Sequence, residues 1–327
     1  MVENAMMSKK PSIKIASLLA FCLLALQCTG RQEARPVPIQ FYLEDGVTRL
    51  TKGVPFNSVE GFPIDEHLGL IAYQYVGSGA DSTSWELFTA ANTSRDVRYY
   101  SEALRWIPTP DLYSPAGEGH MRFFAFGPRD AVTSVSAVSH AGPALTYTVP
   151  SAIADQRGLL VATSDELTYP PLLQELNVSL SLKHVLSGVR FVVGKPSILM
   201  SVTVSGVYDQ GVYYMNRDRW SSLSKSSTTP SFSITISDYD EDMVAILSPY
   251  YRTAPKRTLM MLPQRLPAGA KITFRVRNEY GNVVQETYDI AGFQWEKGKV
   301  VTYLIRRGAE GILVFDEFPV FEEETDW

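Results

Sequence analysis

Asp238, Asp240 and Asp242 stand at alternate positions, the most metal-like spacing in the chain. A calcium loop that opens this way needs a Gly at its sixth position and a bidentate Glu at its twelfth. Met243 and Pro249 occupy those places, so the segment reads as a solvated acidic turn, with a metal site as the alternative. Lys183-His184 invites a catalytic reading because imidazole titrates in the physiological range. The His falls in the alternating run Val178 to Val185, however, with no Ser or Cys nucleophile motif beside it. A hydrogen-bonded structural His is the expectation. His67, His120, His140 and His184 are scattered without ligand spacing. No Gly-x-Ser-x-Gly elbow, phosphate loop, Gly-x-Gly-x-x-Gly or His-Glu-x-x-His is present. Two carboxylates could still meet from distant strands, as glycoside hydrolysis requires, but 35 acidic residues give no way to choose a pair. No catalytic residue, cofactor or metal is expected.

Cys28 carries the one reactive group with a readable role. Lys9-Lys10 precede an apolar run from Ile15 to Leu26, which ends at Gln27-Cys28-Thr29-Gly30. About a dozen apolar residues after a basic start make an export signal, too short to span a bilayer that takes about 20. Leu24, Ala25 and Leu26 resemble the apolar half of a lipobox, although Gln27 sits where a small residue is usual. Residues 1–27 are therefore read as a lipoprotein signal and Cys28 as the acylated anchor on the outer membrane; ordinary cleavage near Ala25 is the alternative. Residues 28–38 form a polar tether. Cys22 lies inside the removed segment, so the mature chain keeps no disulfide, which a chain of this length can do without. The net charge of −5 and the lack of a basic stripe argue against a nucleic-acid partner.

With 45% hydrophobic residues, 17 Tyr and 15 Phe, the chain is globular and rich in strand formers. Short strand-like runs recur between Gly, Pro, Asp and Ser: Ile39 to Leu43, Leu70 to Val76, His120 to Phe126, Thr133 to Val138, Leu145 to Val149 and Leu159 to Thr163. The best helix candidate, Arg95 to Trp106, starts at a Ser94 cap and stops before Pro108, but a loop helix or an irregular strand fits equally well. Ser164-Asp165-Glu166 and Pro170-Pro171 mark a junction. A second series follows at Val178 to His184, Val189 to Val193, Leu199 to Val204, Gly211 to Met215, Ser231 to Ile236, Lys271 to Val276, Val283 to Ile290 and Val300 to Ile305. Ser221 to Pro230 reads as a Ser/Thr loop and Tyr280-Gly281-Asn282 as a hairpin turn. The expectation is all-β: two β-sandwich domains in tandem, over 39–165 and 166–327.

The end of the chain has two apolar runs, Gly311 to Phe315 and Phe318 to Phe321, separated by Asp316-Glu317 and closed by Glu322-Glu323-Glu324-Thr325-Asp326-Trp327. It reads equally as a final edge strand with an acidic cap or as a segment meant for another molecule's groove.

Gly158 to Ser164, followed by Val178 to Phe191, resembles the central signature of the fimbrillin family, the Bacteroidales surface pilins and fimbrillin-like lipoproteins. Leu104-Arg105-Trp106-Ile107-Pro108 with Phe123-Phe124-Ala125-Phe126-Gly127-Pro128 is similar to its Trp-Pro and aromatic-Ala-aromatic pair, and Ile290 to Lys299 to its late strand-turn-strand. The resemblance implies two transthyretin-like sandwiches, export as a lipoprotein, and assembly with other pilin subunits into cell-surface fimbriae that mediate adhesion to a host or bacterial surface ligand. It also implies that an Arg-specific protease cuts after Arg49, within Val47-Thr48-Arg49, freeing Ile39 to Leu43. The opened groove would accept a strand from the next subunit. Tail residues 309–327, with Ile312, Val314, Phe318 and Val320, are the candidate donor. Rival readings are a stand-alone lipoprotein that binds glycans through Trp85, Trp220 and Trp295, and a surface hydrolase.

Overall fold

Runs in which β-branched or aromatic residues alternate with polar ones favour extended backbone, because successive side chains point to opposite faces. The computed structural model describes residues 36–43, 65–76, 85–90, 93–102, 105–115, 119–138, 142–169, 175–193, 199–227, 230–235, 258–277, 280–307, 313–315 and 320–322, and it is all-β. The first series comprises β1 (Ile39–Leu43), β2 (Leu68–Val76), β3 (Glu86–Leu87), β4 (Arg95–Tyr100), β5 (Arg105–Thr109), β6 (Gly119–Gly127), β7 (Ser134–Val138), β8 (Gly142–Thr148), β9 (Leu160–Thr163) and β10 (Leu167–Tyr169). The second continues with β11 (Leu176–Leu180), β12 (Lys183–His184), β13 (Ser187–Val193), β14 (Leu199–Ser205), β15 (Gln210–Tyr214), β16 (Arg219–Ser224), β17 (Ser231–Thr235) and β18 (Leu259–Met261). It ends with β19 (Gln264–Arg265), β20 (Lys271–Arg277), β21 (Val283–Asp289), β22 (Gln294–Trp295), β23 (Val300–Arg307), β24 (Leu313–Phe315) and β25 (Val320–Glu322).

The largest sheet runs β11-β1-β5-β4-β2-β6-β9-β12, with β3 and β10 paired off its path to β2 and β6. Its two end strands, β11 and β12, are separated by only Ser181 and Leu182. Three residue steps span at most about 10 Å, so the sheet must curl until its ends meet. The curl encloses a core supplied by its own inner face: Phe41, Leu68, Leu70, Val97, Trp106, Met121, Phe123, Leu160 and Val178 among others. On the outer face of β2 and β6, Ile71, Tyr73, Phe124 and Phe126 join a second core. These two strands are therefore buried on both sides, which is why Leu68 to Tyr73 reads as continuous apolar sequence rather than alternation.

The second core fills the later part of the chain. Strands β18-β13-β23 form one sheet, in which β13 and β23 run parallel from Gly188↔Val300 to Val193↔Ile305. Strands β17-β14-β20-β21 form the other, and Phe191 of the first meets Phe274 of the second edge-on at 6.5 Å. A four-stranded sheet, β16-β15-β8-β7, draws two strands from each side of the expected junction. Its central pair runs from Gln210↔Thr148 to Tyr214↔Ala144. Strand pairing also crosses residues 165/166 where β1 meets β11.

Three readings change. Arg95 to Trp106 is not a helix but the antiparallel hairpin β4–β5, where Tyr99 pairs with Trp106 and Val97 with Pro108. The supposed loop Ser221 to Pro230 begins as strand, since β16 pairs with β15 through Ser224. Strand β21 is an edge strand that leaves Val283 and Val284 exposed rather than half-buried. The turn at Tyr280-Gly281-Asn282 does close the β20–β21 hairpin, with Gly281 at φ 79°, where a Cβ would be strained.

Candidate functional site

Strand β1 lies inside the curled sheet, not on its edge. It runs parallel to β11 in continuous register from Ile39↔Leu176 to Leu43↔Leu180, and antiparallel to β5 at Phe41↔Trp106. The period of two sends Ile39, Phe41 and Leu43 into the core; Phe41 is fully buried, its ring edge-on to Phe123 at 5.2 Å. On the opposite face Tyr42 is 37% exposed, whereas Gln40 is 8% exposed. The Gln40 Oε1 atom accepts from the Arg105 guanidinium and, at 3.1 Å, from the Tyr42 hydroxyl. The segment before β1 is held as well: Ile39 N–H donates to Leu112 O at 2.8 Å and Ser114 N–H to Val37 O at 2.8 Å. Without β1 a gap of about 10 Å, twice the usual strand spacing, would separate β5 from β11. Arg49 follows β1 but lies outside the described residues, as does Cys28.

The tail lies on the free edge of β23. Strand β24 pairs antiparallel at Arg307↔Leu313, Arg306↔Val314 and Ile305↔Phe315, and β25 at Thr302↔Val320, Val301↔Phe321 and Val300↔Glu322. Val314 and Val320 are thus placed on the two tail strands, while Ile312 and Phe318 fall outside the described residues. The structure brings the tail to the later sheet and β1 to the curled one, so the two candidate exchange elements sit in different sheets of one chain.

Near the start of β23, sequence reasoning missed a polar cluster. The hydroxyl of Tyr213, a buried residue of β15 paired with Trp220 of β16, donates to Asp218 Oδ1, and Lys297 Nζ meets Asp218 Oδ2 at 2.5 Å and its backbone oxygen at 2.9 Å. Burial alone would raise the Asp218 carboxyl. The hydrogen bonds from Lys297 and Tyr213, with the charges of Lys297 and Lys183, outweigh it and hold the carboxyl below its ordinary range. Burial, then the Asp218 hydrogen bond and charge, push the Tyr213 hydroxyl far up. Asp218 sits at φ 48°, a left-handed turn residue between β15 and β16. Asn216 or Asp218 in a short turn was the only signal available.

The other singled-out residues do not converge. Trp295 is fully buried and donates to Tyr303 Oη at 3.0 Å; Trp220 is half-buried and donates to Val185 O at 2.6 Å; Trp85 is buried beneath Arg122, whose guanidinium lies 5.0 Å from its ring. They form no exposed aromatic face. His184 is half-buried on β12, and His120 stacks on Tyr75 at 4.2 Å with its Nδ1 2.9 Å from Glu166. Asp238, Asp240 and Asp242 lie outside the described residues. A cavity of about 520 Å³ is lined by Asp65, Glu66, His67, Ser94, Arg129 and Asp130. Three of these residues are held in ion pairs by neighbours, Glu66 and Asp130 by Arg157 at 3.2 Å and 2.5 Å and His67 by Asp96 at 3.0 Å, and Arg129 donates to Ser94. Among the described residues no group of three His, Cys, Asp or Glu could hold a metal, and no helix is long and apolar enough to cross a membrane. What the arrangement does is seat short extended segments, β1 between two strands and the tail strands on a sheet edge.

A family model described as fimbrillin-like matches residues 57–317. No curated protein sequence matches the chain. Among solved structures, a fimbrial protein from Bacteroides vulgatus is similar at 15% identity and a TM-score of 0.51, over 88% of this chain and 99% of that one. A candidate cell adhesion protein from Bacteroides uniformis is similar at 14% identity and a TM-score of 0.53, over 89% and 99%. At such identities the likeness is one of fold.

Proposed function

The chain belongs to the fimbrillin-like family, and from that membership we propose that it is a structural or accessory subunit of cell-surface fimbriae, assembled with other subunits by strand exchange. The observation that carries this reading is the seating of β1: a short N-terminal strand fills a slot between β5 and β11 with Ile39, Phe41 and Leu43 in the core. Burying three such side chains is worth about 5–9 kcal/mol before entropy, comparable with the whole stability of an ordinary domain at about 5–15 kcal/mol. A subunit that loses β1 therefore carries a groove with a strong demand for a replacement strand, and one that keeps it is self-sufficient.

In this proposal Cys28 is acylated and holds the exported chain at the outer membrane, cleavage after Arg49 frees β1, and the tail of a neighbouring subunit fills the slot. Val314 and Val320 already lie in extended segments that add to a sheet edge, the geometry a donated strand needs. Each contact uses different surfaces on the two partners, so the series grows open-ended rather than closing. The two strand series are read as tandem transthyretin-like sandwiches stitched by the shared sheet, with no catalytic role or cofactor.

The test is digestion of the mature protein with an Arg-specific protease, followed by mass spectrometry and gel electrophoresis. A new N-terminus at Leu50 with detergent-resistant ladders is the expected result. A product cut at Arg49 that stays monomeric overturns strand exchange, and a product uncut there overturns the processing step.

A further inference from the structure

Strands β17, β14, β20 and β21 cover the later core with one face and turn the other outward. On the inner face Val202, Val204, Phe232, Ile234, Ile272 and Phe274 are buried, which makes the sheet a rigid support. The register sets the outward residues in rows across it. One row is Ser233, Thr203, Thr273 and Thr287, and the next is Thr235, Ser201, Arg275 and Gln285. Neighbours within a row stand about 4.8 Å apart, and successive rows about 6.7 Å. The first row is ordered by its own hydrogen bonds, between the hydroxyls of Thr203 and Ser233 at 2.8 Å and those of Thr273 and Thr287 at 3.1 Å. A hydroxyl engaged once keeps further capacity to donate or accept.

Charge on this face is one-sided. Lys271, Arg275 and Arg277 stand at alternate positions of β20 and are exposed. Among the outward residues of the four strands the one carboxylate is Asp289, which lies opposite Lys271 and accepts from the Ala291 N–H at 2.8 Å. Arg275 and Arg277 lie opposite Gln285 and Val283 instead, and have no ion-pair partner among the described residues. Two guanidinium groups on successive outward positions, beside rows of hydroxyls, match a chain that carries carboxylates or sulfates among many hydroxyls. No aromatic residue occupies an outward position of these strands. The face therefore lacks both the anchors of a protein interface and the stacking platforms that hold single-stranded nucleic acid. Its cations also fall short of the clusters of about four to eight that an anionic lipid surface attracts. We propose that this face binds an acidic polysaccharide, with Arg275 and Arg277 pairing its anionic groups and the Ser/Thr rows its hydroxyls. The use of such binding to a cell-surface subunit rests on the function proposed above, whereas the binding itself does not need strand exchange.

The experiment is calorimetric titration of the uncut mature chain, in about 50 mM salt, with hyaluronan oligosaccharides, which carry carboxylates, heparin oligosaccharides, which add sulfates, and uncharged dextran. Binding of an acidic probe that weakens as salt rises is the expected result, and the probe preferred identifies the anionic group. Arg275→Gln/Arg277→Gln should lower the affinity by about tenfold or more, and Thr203→Val/Thr273→Val by about threefold to tenfold. Lys183→Gln/Arg219→Gln removes the same charge from exposed positions outside these strands and should leave the affinity unchanged. Guanidinium unfolding of each variant separates a lost contact from a lost fold. Equal weakening by the two charge-removing variants reduces the effect to net charge and overturns the site. Failure of both acidic probes to bind, or equal binding of dextran, overturns it too, and tighter binding of a single-stranded oligodeoxynucleotide overturns the polysaccharide as its ligand. The ladder assay reads strand exchange separately, so saccharide binding without ladders refutes strand exchange alone, and ladders without saccharide binding refute this face alone.

Discussion

Replacing Phe41 by Ala tests whether β1 is integral to the core or merely laid against it. Phe41 has no exposed surface and its ring meets Phe123 at 5.2 Å and 78°. The site is enclosed by β5 on one edge and β11 on the other, so little collapse can fill the vacancy. A Phe→Ala change in such a position costs about 3–5 kcal/mol. With a guanidinium m value of about 5 kcal/mol/M, the midpoint should fall by about 0.6–1 M. Tyr42→Ala is the internal control: it removes a 37% exposed side chain one position away on the opposite face and should cost about 0.5 kcal/mol. Guanidinium unfolding, followed by both intrinsic fluorescence and circular dichroism, measures the two. Equal midpoints for the two variants, or a loss below about 1 kcal/mol for Phe41→Ala, would refute the seating of β1 and with it the energetic case for a strand-hungry groove.

Gln40→Leu should destabilise although it makes β1 more apolar, because the Arg105 guanidinium loses its acceptor while its Nε is already buried without one; a loss of about 1–3 kcal/mol in the same unfolding assay is expected. Alkali should act through buried tyrosines. Burial pushes Tyr303 up to about 12, offset only in part by the hydrogen bond from Trp295. Its folded value lies above the unfolded one, so its contribution is complete below pH of about 10 and is lost as pH rises through about 12, about 3 kcal/mol in all. Tyrosinate absorbance should therefore show Tyr303 ionising only together with unfolding; ionisation of every tyrosine before the fold is lost would contradict this.

Strands whose two faces differ were legible from residues alone. Ser231 to Thr235 alternates exposed and buried, Lys271 to Arg277 nearly so, and Gly142 to Thr148 alternates half-buried and buried. The pairing of Tyr99 with Trp106 was not, because it depends on β2 and β5 neighbours that a helical spacing in one segment cannot register. Parallel pairs such as β1–β11 and β13–β23 join residues more than a hundred positions apart and leave no local mark. The exposure of β21 follows from its place at the end of a sheet, and its sequence is otherwise that of a covered strand. For the candidate site, β1 was legible as apolar alternation from Ile39 to Leu43, but its place between two strands was not. Gln40 shows why: a polar residue in a strand reads as outward-facing, and only the arginine arriving from β5 makes its burial tolerable.

The sheet β16-β15-β8-β7 has a mechanical consequence. A tensile load passing between the earlier and later strand series is shared by the β8–β15 ladder, where five residue pairs run side by side, and by the β1–β11 ladder. The two halves cannot part like beads on a string. Under load the chain should yield as a single element, with no internal hinge at residue 165.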